Sequence, residues 1–210
     1  MADLILYSNP MSRGRIARWM LEEVGQPYDV QYLGYGSEAP MAMKGPDYLA
    51  INPMGKVPAL KHGDAIVTEG AAICAYLADT FPEAGLKPVG GAALADYYRW
   101  LFFAAGPVEA AVTDRSLGVT VEPDKSRMVG YGSYEAMLDA LESAVRGKTF
   151  IAGDSFSAAD VYVGSQIGWG MMFGSIPDRP EFKRYWDGLA ERPAYLRARD
   201  LDDAAMPKQP

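Results

Sequence analysis

Three short segments place residue types where they could do chemistry. Asn52-Pro53-Met54-Gly55-Lys56-Val57-Pro58-Ala59-Leu60 sets a proline at the opening of an apolar run. A strand's first residue tolerates a missing N–H, so an edge-strand proline is the simpler reading. A cis Val57–Pro58 bond would instead turn the Val57 N–H and C=O outward, toward a peptide-like ligand. Thr68-Glu69-Gly70-Ala71-Ala72-Ile73 opens a helix, where free N–H groups favour a carboxylate. Glu69 either complements that dipole or holds an ammonium group beside it. Ser157-Ala158-Ala159-Asp160 has the spacing of a reciprocal capping box and is read as structural.

Composition narrows the chemistry further. The chain has 210 residues, one cysteine (Cys74) and one histidine (His62). A disulfide framework, a Cys-x-x-Cys site and a His-rich metal site are therefore excluded, and a Ser-His-Asp triad is disfavoured. No metal is expected. Lys and Arg number 20 against 27 Asp and Glu, a balance of −7, which argues against generic nucleic-acid binding. The N-terminus has no basic, then apolar, leader pattern, so a cytoplasmic protein is expected. Val161 to Ile176 carries no charge, but four glycines and several polar residues make it a buried helix rather than a membrane span.

The elements that must position these segments follow from periodicity. Leu4 to Tyr7 reads as a strand ended by the turn signal Asn9-Pro10. Ile16, Met20 and Val24 mark a helix from about Ser12 to Val24, with Arg15, Arg18 and Glu22 on the outer face and Gly25 as its stop. A strand over Tyr28–Leu33, a short helix near Asp47–Ile51, a hairpin around His62-Gly63-Asp64 and a helix through Ile73, Leu77 and Phe81 complete a β-α-β-α-β-β-α order. Beyond a linker over residues 83–91 only helical patterns remain. The expected domains are therefore an α/β domain over 1–82 and an all-helical domain over 92–210, with a frayed tail from Asp202.

These segments, in this order on this plan, resemble the glutathione S-transferase family along nearly the whole chain, in its bacterial cytosolic form. The resemblance is carried by Tyr7-Ser8-Asn9-Pro10-Met11-Ser12-Arg13 running into Arg18-Trp19-Met20-Leu21-Glu22-Glu23, by Lys56-Val57-Pro58-Ala59-Leu60, by Thr68 to Ile73, and by Phe150-Ile151-Ala152-Gly153 leading to Ser157 and Asp160. It implies a thioredoxin-like N-terminal domain that binds glutathione as co-substrate and an all-α bundle that lines a site for a hydrophobic electrophile. It implies that the Val57 backbone, before a cis Pro58, pairs with the cysteinyl part of glutathione. Glu69 and Gly70 would hold the γ-glutamyl group, and Lys44 is a candidate for the glycyl carboxylate. Gly70 departs from the usual serine, which removes a hydroxyl donor and predicts weaker glutathione affinity. A homodimer, without nucleic-acid or membrane partners, is the implied assembly.

Members of the family differ in the hydroxyl that activates the thiol, and this chain offers Tyr7, Ser8 and Ser12. Ser12 also suits a helix N-cap, and the two roles are compatible because capping uses only an acceptor lone pair. Ser12 is favoured and Tyr7 is the alternative. Candidates for the electrophile site are Trp100, Phe102 and Phe103 on one helix and Trp169, Met172 and Phe173 on another. Two other readings accompany the transferase: a non-catalytic interaction module of the same fold, and a glutathione-dependent peroxidase or isomerase.

Overall fold

The computed structural model describes residues 3–36 and 42–206. They form two compact units: residues up to Ala84 together with those from Arg192 onward, and Gly85–Glu191.

In the first unit, β1 (Leu4–Ser8), α1 (Gly14–Val24), β2 (Tyr28–Tyr32), α2 (Pro46–Leu49), β3 (Ala59–His62), β4 (Ala65–Thr68) and α3 (Gly70–Thr80) follow the expected order. The sheet runs β2-β1-β3-β4. β1 is parallel to β2, with Leu4 opposite Tyr28 and Ser8 opposite Tyr32, and antiparallel to β3, with Tyr7 opposite Ala59. Alternation along β1 sends Tyr7 to one face, into a cluster with Leu33, Met43, Tyr48 and Ala59. Leu4, Leu6 and Ser8 point to the other face, where Ser8 meets the first turn of α1. The end of β1 is thus brought beside the start of a helix.

Two expectations for this unit are corrected. Periodicity puts Arg18 on the outer face of α1, yet only 3% of its surface is exposed. The sequence predicts a frayed tail from Asp202, yet Asp202 is fully buried within α9 (Pro193–Ala204). One cause explains both. α9 packs along α1 and belongs to the sheet unit, not to the helical domain in which the sequence placed it. Arg18 Nε donates to Asp202 Oδ1 at 2.8 Å, and its Nη atoms reach the hydroxyls of Tyr28 and Tyr32. A buried guanidinium is tolerated only when so paired. Residues 207–210 of that expected tail lie outside the described residues.

The second unit contains α4 (Gly91–Phe103), a π-helical turn over Ala104–Val108, α5 (Glu109–Ser116), α6 (Tyr134–Val145), α7 (Ala158–Met172) and α8 (Pro180–Ala190). The single long helix expected from Leu94 to Val108 is interrupted there. Pro107 lacks an N–H and cannot close the regular ladder, which favours a wider turn. The uncharged segment is the buried α7, and its glycines have a packing reason. A Cβ on Gly164 would lie 2.6 Å from Leu189, and one on Gly168 would lie 2.5 Å from Trp186. The pair, four residues apart on one face, lets α8 approach closely. Among the described residues, no helix is long and apolar enough to cross a membrane.

The capping box at the start of α7 is present, and it is larger than the sequence implied. Asp160 is fully buried and its carboxylate accepts four hydrogen bonds. Oδ2 takes the Ser157 N–H at 2.9 Å and its hydroxyl at 2.8 Å. Oδ1 takes the Ile151 N–H and the Tyr185 hydroxyl, both at 2.7 Å. Burial pushes the Asp160 carboxyl above its ordinary range while these bonds pull it back. Burial beside that carboxylate also pushes the Tyr185 phenol well up, so it remains a proton donor.

Candidate functional site

The site of the first unit is built from three backbone turns, each organised by local side chains. Two of them are Asn-Pro turns of the same type. Asn9 Oδ1 accepts the Met11 N–H at 2.9 Å, and Asn52 Oδ1 accepts the Met54 N–H at 3.1 Å. An asparagine that bonds to the backbone two residues ahead mimics one side of a β-turn.

The first turn carries Ser12. Helix α1 begins at Gly14 rather than at Ser12, because residues 9–13 form the turn. The Ser12 hydroxyl donates to Asn9 C=O at 2.7 Å and accepts the Gly14 N–H at 3.0 Å. Its oxygen is therefore held at the positive end of α1, and its hydrogen can be redirected by rotation about Cβ–Oγ. Ser8 is fully buried, and its hydroxyl has no hydrogen-bond partner among the described residues. Its Oγ lies 2.1 Å from where a Gly14 Cβ would stand, so the glycine makes room for it. Tyr7 is 8% exposed and packs on Tyr48, with ring centroids 5.6 Å apart.

The second turn carries Val57. The Val57–Pro58 peptide is cis, as one of the two sequence readings required. The carbonyl of Lys56 accepts two hydrogen bonds, from the Tyr48 hydroxyl at 2.6 Å and from Asn52 Nδ2 at 2.8 Å. Tyr48 and Asn52 are almost fully buried. Burial pushes the Tyr48 phenol up to about 12, so it remains a donor at neutral pH. The Val57 N–H and C=O have no hydrogen-bond partner among the described residues. Gly55 adopts a φ of 56°, and any Cβ there would lie 2.6 Å from Met43 O and 2.9 Å from Lys44 Nζ. Lys44, on an irregular stretch of chain, is thereby placed. Its ammonium donates to Met54 C=O at 2.7 Å, beside the Val57 turn.

The third turn joins β4 to α3. Glu69 has a φ of 67° and a ψ of 122°, and among the described residues it alone combines a positive φ with a side chain. Such a backbone costs about 1–3 kcal/mol and marks a constrained position. The Glu69 carboxylate is exposed, and Gly70 is the first residue of α3. Cys74, four residues further along α3, is fully buried, and burial raises its thiol pKa, which makes it inert.

In the second unit the structure brings the aromatic candidates together in pairs. Trp100 and Phe103 on α4 meet edge to face at 5.6 Å, as do Trp169 and Phe173 at 6.2 Å. Trp100 is buried, Phe103 and Trp169 are half-buried, and Met172, Phe173 and Phe102 are exposed. Among the described residues no group of His, Cys, Asp and Glu could hold a metal ion.

The parts of Asn52 and Tyr48 in the Val57 turn are not assigned by the sequence reading above. For Asn52 a signal existed, since Asn-Pro repeats the pattern noted at Asn9-Pro10. For Tyr48 none did, because only the fold sets its hydroxyl against Lys56.

Known proteins resemble this chain in sequence and fold. Residues 11–80 match the glutathione S-transferase N-terminal domain, and residues 109–193 match the glutathione S-transferase C-terminal domain. Glutathione S-transferase 3 of Zea mays is 30% identical over 226 residues, which span 100% of this chain and 97% of the relative. A glutathione transferase from Methylococcus capsulatus aligns with a TM-score of 0.77 at 27% identity, covering 96% of this chain and 99% of that one. A glutathione transferase homologue from Sulfitobacter, solved with bound glutathione, aligns with a TM-score of 0.75 at 26% identity, covering 99% and 100%. The α/β unit is thus thioredoxin-like, the remainder is the helical bundle expected with it, and the chain belongs to the glutathione S-transferase family as an enzyme with glutathione transferase activity.

Proposed function

We propose that this chain binds glutathione on its first unit and activates the thiol through Ser12. The observation that carries this reading is the contrast between the two hydroxyls. Ser12 Oγ stands at the start of α1, where rotation about Cβ–Oγ can turn its hydrogen from Asn9 C=O toward a bound thiolate, whereas Tyr7 is packed in an apolar cluster. Bound glutathione loses its thiol proton to solvent. The Ser12 O–H and the helix terminus hold the thiolate, which attacks an electrophilic carbon and displaces a leaving group or adds to a polarised double bond. The Val57 N–H and C=O pair with the cysteinyl backbone ahead of Pro58. Glu69 and the Gly70 N–H take the γ-glutamyl end, and Lys44 takes the glycyl carboxylate. Trp100, Phe103, Trp169 and Met172 supply apolar surface for the electrophile. The test is retention on immobilised glutathione and turnover of an aryl halide, compared between Ser12→Ala and Tyr7→Phe. An interaction module would give retention without turnover.

The Val57 turn gives a separate expectation. Tyr48→Phe removes one of two donors to Lys56 C=O and keeps the ring that packs on Tyr7. A neutral hydrogen bond contributes about 0.5–1.5 kcal/mol, so glutathione KM should rise by roughly two- to tenfold with kcat little changed. An unchanged KM would show that Asn52 alone sets the turn.

A cytoplasmic, twofold homodimer belongs to the same reading, since isologous pairing is the commonest assembly of such chains. Sedimentation at micromolar concentration should give twice the monomer mass, and a species of monomer mass alone would refute it.

A further inference from the structure

The carbonyls of the turn that carries Ser12 are held one by one. Asn9 C=O accepts from Ser12 itself, through its N–H at 3.0 Å and its hydroxyl at 2.7 Å. Met11 C=O accepts the Tyr35 hydroxyl at 3.1 Å. Pro10 C=O accepts Nε–H of Arg15. Proline has no N–H, so this carbonyl is the one backbone group through which residue 10 can be gripped.

Arg15 uses its other edge elsewhere. Nη2 donates to Asp203 Oδ1 at 2.7 Å, on the last turn of α9. As a bare ion pair this contact would count for little, since the Arg15 side chain is 24% exposed and that of Asp203 is 55% exposed. Its value is geometric. A planar guanidinium held at one edge by a carboxylate presents its other edge in a fixed direction, here toward Pro10. The carboxylate has a firm base, because α9 is fastened to α1 independently. Arg18 pairs with Asp202, Arg192 with Glu23 and Arg197 with Glu22, and Trp19 meets the Tyr195 ring at 5.0 Å. The titratable groups on α9 that share the field of Arg15 are Asp202, Asp203 and Tyr195.

We propose that Arg15 is a positioning residue for the thiol-activating turn, and that Asp203 of the C-terminal helix aims it. The last helix of the chain thus sets where Ser12 Oγ stands, acting through Pro10 C=O and without touching substrate. This rests on the assignment of Ser12 as thiol donor.

The test compares full-length Arg15→Lys, Asp203→Asn and Ser12→Ala. Lysine keeps the charge but, as a point donor, cannot grip Pro10 and Asp203 in fixed directions. Arg15→Lys should lower kcat by about tenfold, as small misplacements of catalytic groups do. It should also move the pH–rate midpoint upward, and Asp203→Asn should do the same to a lesser degree. Combined with Ser12→Ala, Arg15→Lys should add no further shift. Amide hydrogen exchange at Ser12 and Gly14 reads the turn directly, whatever Ser12 does in catalysis, and should be faster in Arg15→Lys. Unchanged exchange and an unmoved midpoint in Arg15→Lys, with a shifted midpoint in Ser12→Ala, would overturn the proposal and leave the Ser12 assignment standing. Faster exchange with unmoved midpoints in both variants would instead overturn the Ser12 assignment.

Discussion

Ser12→Ala is expected to lower kcat/KM for conjugation by roughly ten- to a hundredfold. A free thiol of the cysteine type has a pKa near ~8.5, so only a few per cent is thiolate at pH 7. The variant keeps the partial charge of the α1 terminus and removes the O–H···S⁻ bond, together with the hydroxyl's bonds to Asn9 C=O and the Gly14 N–H. Hydrogen bonds to charged groups contribute about 1.5–3 kcal/mol, and ~1.4 kcal/mol corresponds to tenfold in rate. The sign of the pH effect follows. Losing a donor that favours the anion raises the pKa of the bound thiol, so the pH of half-maximal rate moves upward and the deficit shrinks at alkaline pH. Tyr7→Phe is the matched control, because it keeps the ring packed on Tyr48. Its midpoint should stay in place. A shift in Tyr7→Phe with none in Ser12→Ala would reverse the assignment. Were neither to move, the donor would be Ser8, a backbone N–H or none, and the interaction-module reading would gain ground.

Asp160→Ala is expected to be the more damaging change to stability, by about 3 kcal/mol or more. Sequence spacing alone implied the loss of a helix cap, roughly 0.5–2 kcal/mol. The structure adds two donors from outside the box, the Ile151 N–H and the Tyr185 hydroxyl. Alanine would leave four donors without their acceptor in a fully buried site, each worth about 1–3 kcal/mol when left unpaired, less whatever relaxation recovers. Tyr185→Phe removes a single donor and should cost only about 1 kcal/mol. Denaturant unfolding of both variants would separate the two scales. Because Asp160 lies in the helical unit, folded Asp160→Ala should still be retained on immobilised glutathione. A midpoint equal to that of the parent protein would show that the box is not formed.

Much of this protein is legible from local pattern. Whereas the residues alone favour a plain edge-strand proline over the cis Val57–Pro58 bond that the structure has, strand and helix order, the Gly25 stop, the hairpin at Gly63 and the capping box all follow from residue types a few positions apart. Such features are decided by short-range sterics and hydrogen bonding, which a linear sequence carries. The site hydroxyls were also legible as a set, because the strand end and the helix start that bear them are adjacent in sequence.

What the sequence could not rank was decided by faces and by distant partners. Sequence favours Ser12 over Tyr7 as donor without placing either, and strand alternation and the packing of Tyr48 make Tyr7 a core residue. Arg18 reads as a solvated charge on an amphipathic helix until α9 covers it from more than 180 positions away. The C-terminal segment reads as a helix ending in a loose tail, since nothing near Asp202 in the chain announces a buried guanidinium. The sequence by itself determined the order of the elements, the hairpin, the cap of α7 and the family resemblance. Only the tertiary structure decided which charges are buried and which side chains are packed, because burial and pairing depend on surfaces that meet only when the chain folds.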